Sequence, residues 1–318
     1  MKNGLFRALM KSAGSLTRSQ REKLRQHLDA CQSSEETHRS LTRNEPKVCR
    51  HCQQKALVRN GSQKGMQRFL CRDCGRSSCA TSETPLDRLR NKEKLAAFAD
   101  CMREGLTVRE TATRMGFSVS RAFRWRHRFL ENAVNYQPKD MSGVVEIDET
   151  YFRRSRKGDK HVRKSRHRGA GGSTRGRLAK EWVSVLVGRA RGRPYVVDAV
   201  LPKMTAVAVD AVLVEAIDPF GAVVCADSLP AFKGLEQRLQ VRCDLFIQGQ
   251  PARKGVHVQS VNAYHQSLKT WINRDLRGVA TKYLPNYLAW HRLTFWAKST
   301  SSRPDLVSCA LGRQLINV

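Results

Sequence analysis

Acidic residues are scarce in this chain. Only 28 Asp and Glu stand against 58 Lys and Arg over 318 residues, a formal net charge of +30. That excess is too large for a solubility device and points to a polyanionic partner, of which nucleic acid is the usual one. Long apolar runs are missing as well. None could span a bilayer and no basic helix carries a clean apolar face, so no membrane partner is expected. No signal peptide is expected, because Arg7 and Lys11 interrupt the only apolar stretch at the N-terminus. The expected compartment is the cytosol, where disulfides are rare and paired cysteines are more often metal ligands. The length allows two or three domains.

Residues 1–43 are polar and basic. Leu5, Phe6, Leu9 and Leu16 suggest one short amphipathic helix, Leu24 and Leu28 another, and a mobile arm reads equally well. Residues 44–82 hold Cys49-x2-Cys52 and Cys71-x2-Cys74. Two such knuckles at this separation predict a tetrahedral thiolate site for structural Zn²⁺, a zinc ribbon whose stability comes from the metal. His51 and Cys79 are weaker ligand candidates. Residues 83–137 read as a helical, helix-turn-helix DNA-binding domain, with helix expected over 86–133. Thr107 and Glu110 form a capping box, Gly116 supplies the turn, and Ser118 or Ser120 caps the second helix. That helix carries Arg121, Arg124, Arg126 and Arg128 around Phe123, Trp125 and Phe129, as a helix entering a major groove would. A plain basic three-helix bundle is the alternative. Asn135 to Asp140 makes a linker.

From residue 143 to 298 the composition turns to β/α alternation. Val144 to Tyr151 is a strand on which Val145 and Ile147 alternate with Glu146, Asp148 and Thr150, one face apolar and the other bearing oxygen ligands. A basic, Gly-rich insert at 153–177 reads as a mobile segment that orders on DNA. Strands follow at Trp182–Ala190 and Pro194–Leu201, then a helix at Thr205–Ile217. Ala222–Asp227 is a buried strand that ends in an acid, where α/β sheets expose their sites. A short helix around Leu235, a fifth strand at Cys243–Gln248 and helices at Val258–Leu276 and Tyr283–Phe295 complete the domain. Residues 299–318 form a short tail.

Asp148 on the first strand, Asp227 at the end of the fourth and Asn262 near the start of the long helix fall into line. Asn262, His265 or Gln266, and Lys269 share one helical face, from which a lysine can reach a DNA phosphate. Two carboxylates at strand ends suit hard cations, Mg²⁺ or Mn²⁺, that support in-line phosphoryl transfer.

These segments resemble the insertion-sequence transposases of the DDE superfamily, in the group with an N-terminal zinc ribbon and an Asp-Asp-Asn pattern. The resemblance rests on Glu146-Ile-Asp-Glu-Thr-Tyr-Phe152, on Ala226-Asp227, on His257 to Trp271 and on Gly278 to Leu288. It implies an α/β fold with an RNase H-like core, a mixed five-stranded sheet with flanking helices, behind a zinc ribbon and a helix-turn-helix domain. It implies Asp148, Asp227 and Asn262 as catalytic metal ligands and Lys269 as the phosphate-contacting lysine. The implied substrates are double-stranded terminal repeats and target DNA, handled by a homodimer or higher oligomer. Asn262 stands where most of the superfamily has Glu, and one neutral carbonyl oxygen binds a second cation more weakly than a carboxylate. Glu149 or His257 could help. A non-catalytic, zinc-containing DNA-binding protein derived from a transposase is the alternative.

Overall fold

The computed structural model describes residues 3–63, 65–161, 181–246, 257–299 and 305–312. They fall into two compact units, Met1–Phe129 with Leu306–Arg313 and Leu130–Asp305 with Gln314–Val318.

The first unit opens with α1 (Asn3–Ser15) and α2 (Arg18–Arg43). The expected arm is therefore two helices, and α2 is tied down. Helix α3 (Leu95–Arg103) has no side-chain cap of its own. Its Ala96 and Ala97 amides donate instead to Thr37 Oγ1 and Ser33 Oγ on α2, both at 2.9 Å. Each borrowed cap is worth about 1 kcal/mol. Strands β1 (Leu57–Gln63), β2 (Met66–Cys71) and β3 (Ser77–Cys79) form an antiparallel sheet in that order. The expected helix over 86–133 begins later, because residues 86–91 are turn and bend with Leu86 buried inside.

Helix α4 (Val108–Met115) starts at the Thr107–Glu110 capping box and ends at Gly116, whose φ of +64° is one that L side chains rarely adopt. Helix α5 (Val119–Glu131) follows, with Ser118 Oγ accepting from the Arg121 amide at 3.3 Å. Phe98, Phe117, Trp125 and Phe129 pack as one aromatic core with ring centroids 5.0–6.5 Å apart.

The second unit is a mixed five-stranded sheet of β4 (Met141–Arg153), β5 (Trp182–Ala190), β6 (Val196–Leu201), β7 (Ile217–Asp227) and β8 (Arg242–Phe246), ordered β6-β5-β4-β7-β8. The first three run antiparallel, while β4–β7 and β7–β8 pair in parallel. Helices α6 (Ala206–Leu213) and α7 (Leu235–Leu239) cover one face, over Val145, Ile147 and Val224. Helix α8 (Gln259–Thr270), continued by π-turns through Asp275, and α9 (Leu284–Ser299) cover the other, over Phe152, Val185 and Val187. Helix α10 (Leu306–Ala310) returns to the first unit, where Asn44 donates to Ser308 Oγ at 3.4 Å. The expected insert lies largely outside the described residues, as do positions 247–248 of the expected fifth strand.

Candidate active site

The strand register brings the two aspartates together. Ile147 on β4 stands opposite Ala226 on β7, so Asp148 and Asp227 are the next residues on adjacent parallel strands. Alternation then puts Asp148 on the α8 side of the sheet, because Val145 and Ile147 pack on the other. Asp227 is oriented by the Leu229 amide at 3.0 Å, and Asp148 by the Glu149 amide at 2.9 Å. Oxygens of Asp148, Glu149 and Asp227 all lie within 4.8 Å of one another. Ligands on one cation with bonds of about 2.1 Å stand about 3 Å apart at right angles and about 4.2 Å when opposite. The set fits a divalent ion with a small inward movement. Burial, then the neighbouring Glu149 charge, pushes Asp148 up to about 7. Crowded carboxylates of this kind favour a counter-charge in their midst.

Helix α8 brings the remaining residues to the same sheet face. His265 is buried, with Nδ1 3.8 Å from Asp148 Oδ2. Burial and the Lys269 charge hold its imidazole at about 3, so the ring is neutral near pH 7. The Lys269 charge also acts on Asp148. Asn262, one turn before His265, is exposed, as is Gln266.

Glu146 positions this helix. Its side chain is fully buried, and Oε2 accepts from the Ser260 and Val261 amides at 2.7 and 3.0 Å. These are α8's opening amides, which have no side-chain cap of their own. Oε1 accepts from Arg191 Nε at 2.7 Å, and Arg191 Nη2 donates to the His257 carbonyl at 3.0 Å. The sequence pattern grouped Glu146 with oxygen ligands; its oxygens are taken up by the helix start and Arg191. His257 Nδ1 lies 3.4 Å from Glu146, beside this anchor. Glu149, by contrast, joins the acids although alternation assigns it to the opposite face. Glu146→Ala removes the acceptor of the half-buried Arg191 Nε and uncaps α8. It is expected to cost on the order of 2–4 kcal/mol and to speed hydrogen exchange at Ser260 and Val261. Unchanged exchange there would remove Glu146 from this role.

In the first unit, Cys49 and Cys74 sulfurs are 3.6 Å apart, as are those of Cys52 and Cys71, and all four lie within 4.8 Å. Zinc bonds of about 2.3 Å set tetrahedral sulfurs about 3.8 Å apart, so the thiols fit. Both knuckles turn through a left-handed residue just after their second cysteine, Gln53 (φ 61°) and Gly75 (φ 68°). Amides of Cys52 and His51 hold the Cys49 thiol at about 6. His51 pairs with Glu83 at 3.2 Å, and Cys79 bonds to Thr81 and Ser82. Neither belongs to the four-sulfur cluster.

The arginines of α5 divide. Arg124 and Arg128 are exposed. Arg121 is half-buried, donates to Arg90 O and Asn91 Oδ1, and lies 4.0 Å over the Phe117 ring. Arg126 is the correction. It is only 1% exposed and donates to Leu106 O at 2.6 Å and Thr111 Oγ1 at 3.2 Å, so it braces the motif from inside. Arg126→Ala is expected to cost on the order of 2–4 kcal/mol, from a cavity and an orphaned carbonyl. Arg124→Ala and Arg128→Ala should weaken DNA binding and each lower its salt slope by about one. A salt slope unmoved in both would take α5 away from the phosphates.

Residues 140–291 match the family model of the ISXO2-like transposase domain, and residues 88–135 that of a homeodomain-like domain. A chain of Halobacterium salinarum described as "Uncharacterized protein in transposable element ISH50" is 25% identical over 246 residues, 76% of this chain and 82% of that one. Among solved structures, the catalytic core domain of BIV integrase is 18% identical, with a TM-score of 0.31, over 48% of this chain and 83% of that chain. No described helix is long and apolar enough to cross a membrane.

Proposed function

We propose, for a chain that carries an ISXO2-like transposase domain behind a homeodomain-like domain, that it cleaves and joins DNA at the ends of an insertion sequence. The reading rests on one observation, the convergence of Asp148, Glu149 and Asp227 at the ends of adjacent parallel strands. In the first step a water oxygen attacks the phosphorus at the element end. The P–O3′ bond breaks, leaving a 3′-hydroxyl and a 5′-phosphate. That 3′-hydroxyl then attacks a target phosphodiester and displaces its 3′ oxygen.

Asp148 and Asp227 hold the divalent cation, Mg²⁺ or Mn²⁺, with Asn262 beside them. The bound cation supplies charge stabilisation for the attacking and leaving oxygens. Lys269 contacts a phosphate, and Glu146 keeps the α8 residues over the sheet end. The zinc ribbon and the helix-turn-helix, through Arg124 and Arg128, grip double-stranded terminal repeats. Joining two ends calls for a homodimer or higher oligomer on DNA, acting in the cytosol on the nucleoid.

Asn262 favours a second reading, a DNA-binding protein without cutting activity, since it offers one neutral oxygen where a third carboxylate would bind more strongly. A supercoiled plasmid bearing element ends separates the two. Nicked or linear product with Mn²⁺, and none with a chelator, supports the enzyme. Retarded but intact plasmid under both conditions supports the binding protein.

A further inference from the structure

The exits of β4 and α8 are clasped to each other. Strand and helix run side by side: Glu146 meets the Ser260 and Val261 amides, Asp148 faces His265, and Phe152 packs in one cluster with Leu268 and Ile272. Beyond Arg153 the chain stays against the helix end. The Ser155 amide donates to Thr281 Oγ1 at 2.8 Å, and the Ser155 carbonyl accepts from the Thr281 amide at 2.9 Å. Lys157 Nζ donates to the Leu276, Arg277 and Gly278 carbonyls at 3.3, 3.1 and 2.7 Å. Carbonyls at a helix end lack intrahelical partners, and the ammonium supplies one.

The clasp gathers like charges. Arg156 precedes Lys157, Arg277 lends one of its acceptors, and Lys282 follows Thr281; all three residues are exposed. Asp275 pairs with Arg274 at 2.9 Å and Glu181 with Arg153 at 3.6 Å, and among the described residues no acid pairs with Arg156 or Arg277. Arg277 also holds φ at +54°, a left-handed conformation in which glycine is the relaxed residue. Cations held together in this way, one of them on a glycine's backbone, suit contact with a polyanion. We propose that Arg156, Arg277 and Lys282 form a second phosphate-binding surface, which holds duplex DNA on the catalytic unit in addition to the contacts of α5. This rests on the DNA-cleaving reading above and says where the catalytic unit grips its substrate. Asp148 and Arg153 lie on one extended strand, about 17 Å apart at about 3.3 Å per residue. At about 3.4 Å per base pair, the surface meets phosphates about five or more base pairs from the one being cut. Lys157 is a positioning residue, its ammonium taken up by the helix end.

The test uses the full chain with its ribbon zinc in place and two duplexes, an element end and one of unrelated sequence. Affinity is read against salt, and phosphate ethylation interference maps the contacts. Arg156→Ala combined with Arg277→Gly is expected to weaken binding on the order of tenfold and to lower the salt slope by about two. The melting temperature should stay close to that of the wild type, because glycine relaxes the backbone at position 277. In the wild type, ethylation about five or more base pairs from the cleaved phosphate interferes with binding, and in the variant that interference is lost. Loss on the element end assigns the surface to the element's own duplex; loss on the unrelated duplex alone assigns it to the target. Affinity, salt slope and interference all unchanged would leave a solvated basic face and overturn the assignment, with the cleavage reading intact. No interference at those phosphates in the wild type overturns it too, whether or not the variant folds. A wild type that shows the interference but never cuts supports the surface and removes the nuclease.

Discussion

Asp148→Asn and Asp227→Asn are each expected to reduce strand cleavage at element ends by at least about 10³-fold, with DNA affinity within about a factor of two of wild type. Asparagine keeps the shape and the local backbone bonds, so the Glu149 and Leu229 amides still find an oxygen. What is lost is a negative charge at the strand ends, where Asp148, Glu149 and Asp227 come together. Divalent-cation stabilisation of a phosphoryl transfer is worth several kcal/mol, and each 1.36 kcal/mol is tenfold in rate. The double variant should be little worse than either single one, because groups that act as a unit lose their effect together. DNA affinity should be spared because the arginines proposed to bind DNA lie on α5, in the first compact unit, or beyond the ends of β4 and α8. Cleavage rates in Mg²⁺ and Mn²⁺, set beside a gel-shift titration, check both halves. Full cleavage by either variant would contradict the ligand assignment.

Removal of zinc is expected to unfold the ribbon and lower DNA affinity by at least about tenfold, with Cys71→Ser reproducing the effect. The three ribbon strands have few buried apolar side chains of their own; Phe69 and Ala80 are the main ones between Cys49 and Thr81. A core that small cannot offset the chain entropy of some thirty residues. Structural zinc contributes about 10–16 kcal/mol of apparent binding energy in comparable sites, enough to make up the difference. The measurements are zinc release against a colorimetric chelator, loss of the ribbon's dispersed amide resonances, and the DNA-binding isotherm. One equivalent of zinc per chain is expected. A chain that keeps its ribbon resonances without zinc would refute a structural metal there.

Much of this was legible in the sequence because the relevant signals are local. Cysteine spacing announces the four-thiol site, and Thr107, Glu110 and Gly116 announce the start and stop of α4. Asp148 and Asp227 were legible from strand alternation and from an acid closing an apolar run. What escaped was contact across the chain. Glu146 reads like Asp148 on a two-residue period, and only the packing of α8 shows that its oxygens are already used. Ser33 and Thr37 look like surface residues of a polar helix, yet they cap α3. Arg126 carried a signal that could have been read. On a helix, positions 121, 124 and 128 share one side, whereas 126 lies across from them, among Ala122, Trp125 and Phe129 that form the buried side.

Anomalous scattering at the manganese edge, from crystals of the chain with Mn²⁺ and an element-end duplex, tests the placement of the cation most directly. The expected result is a peak about 2.2 Å from a carboxylate oxygen of Asp148 and from one of Asp227. Crystals of a cleavage-competent chain with no peak between those two side chains would contradict it.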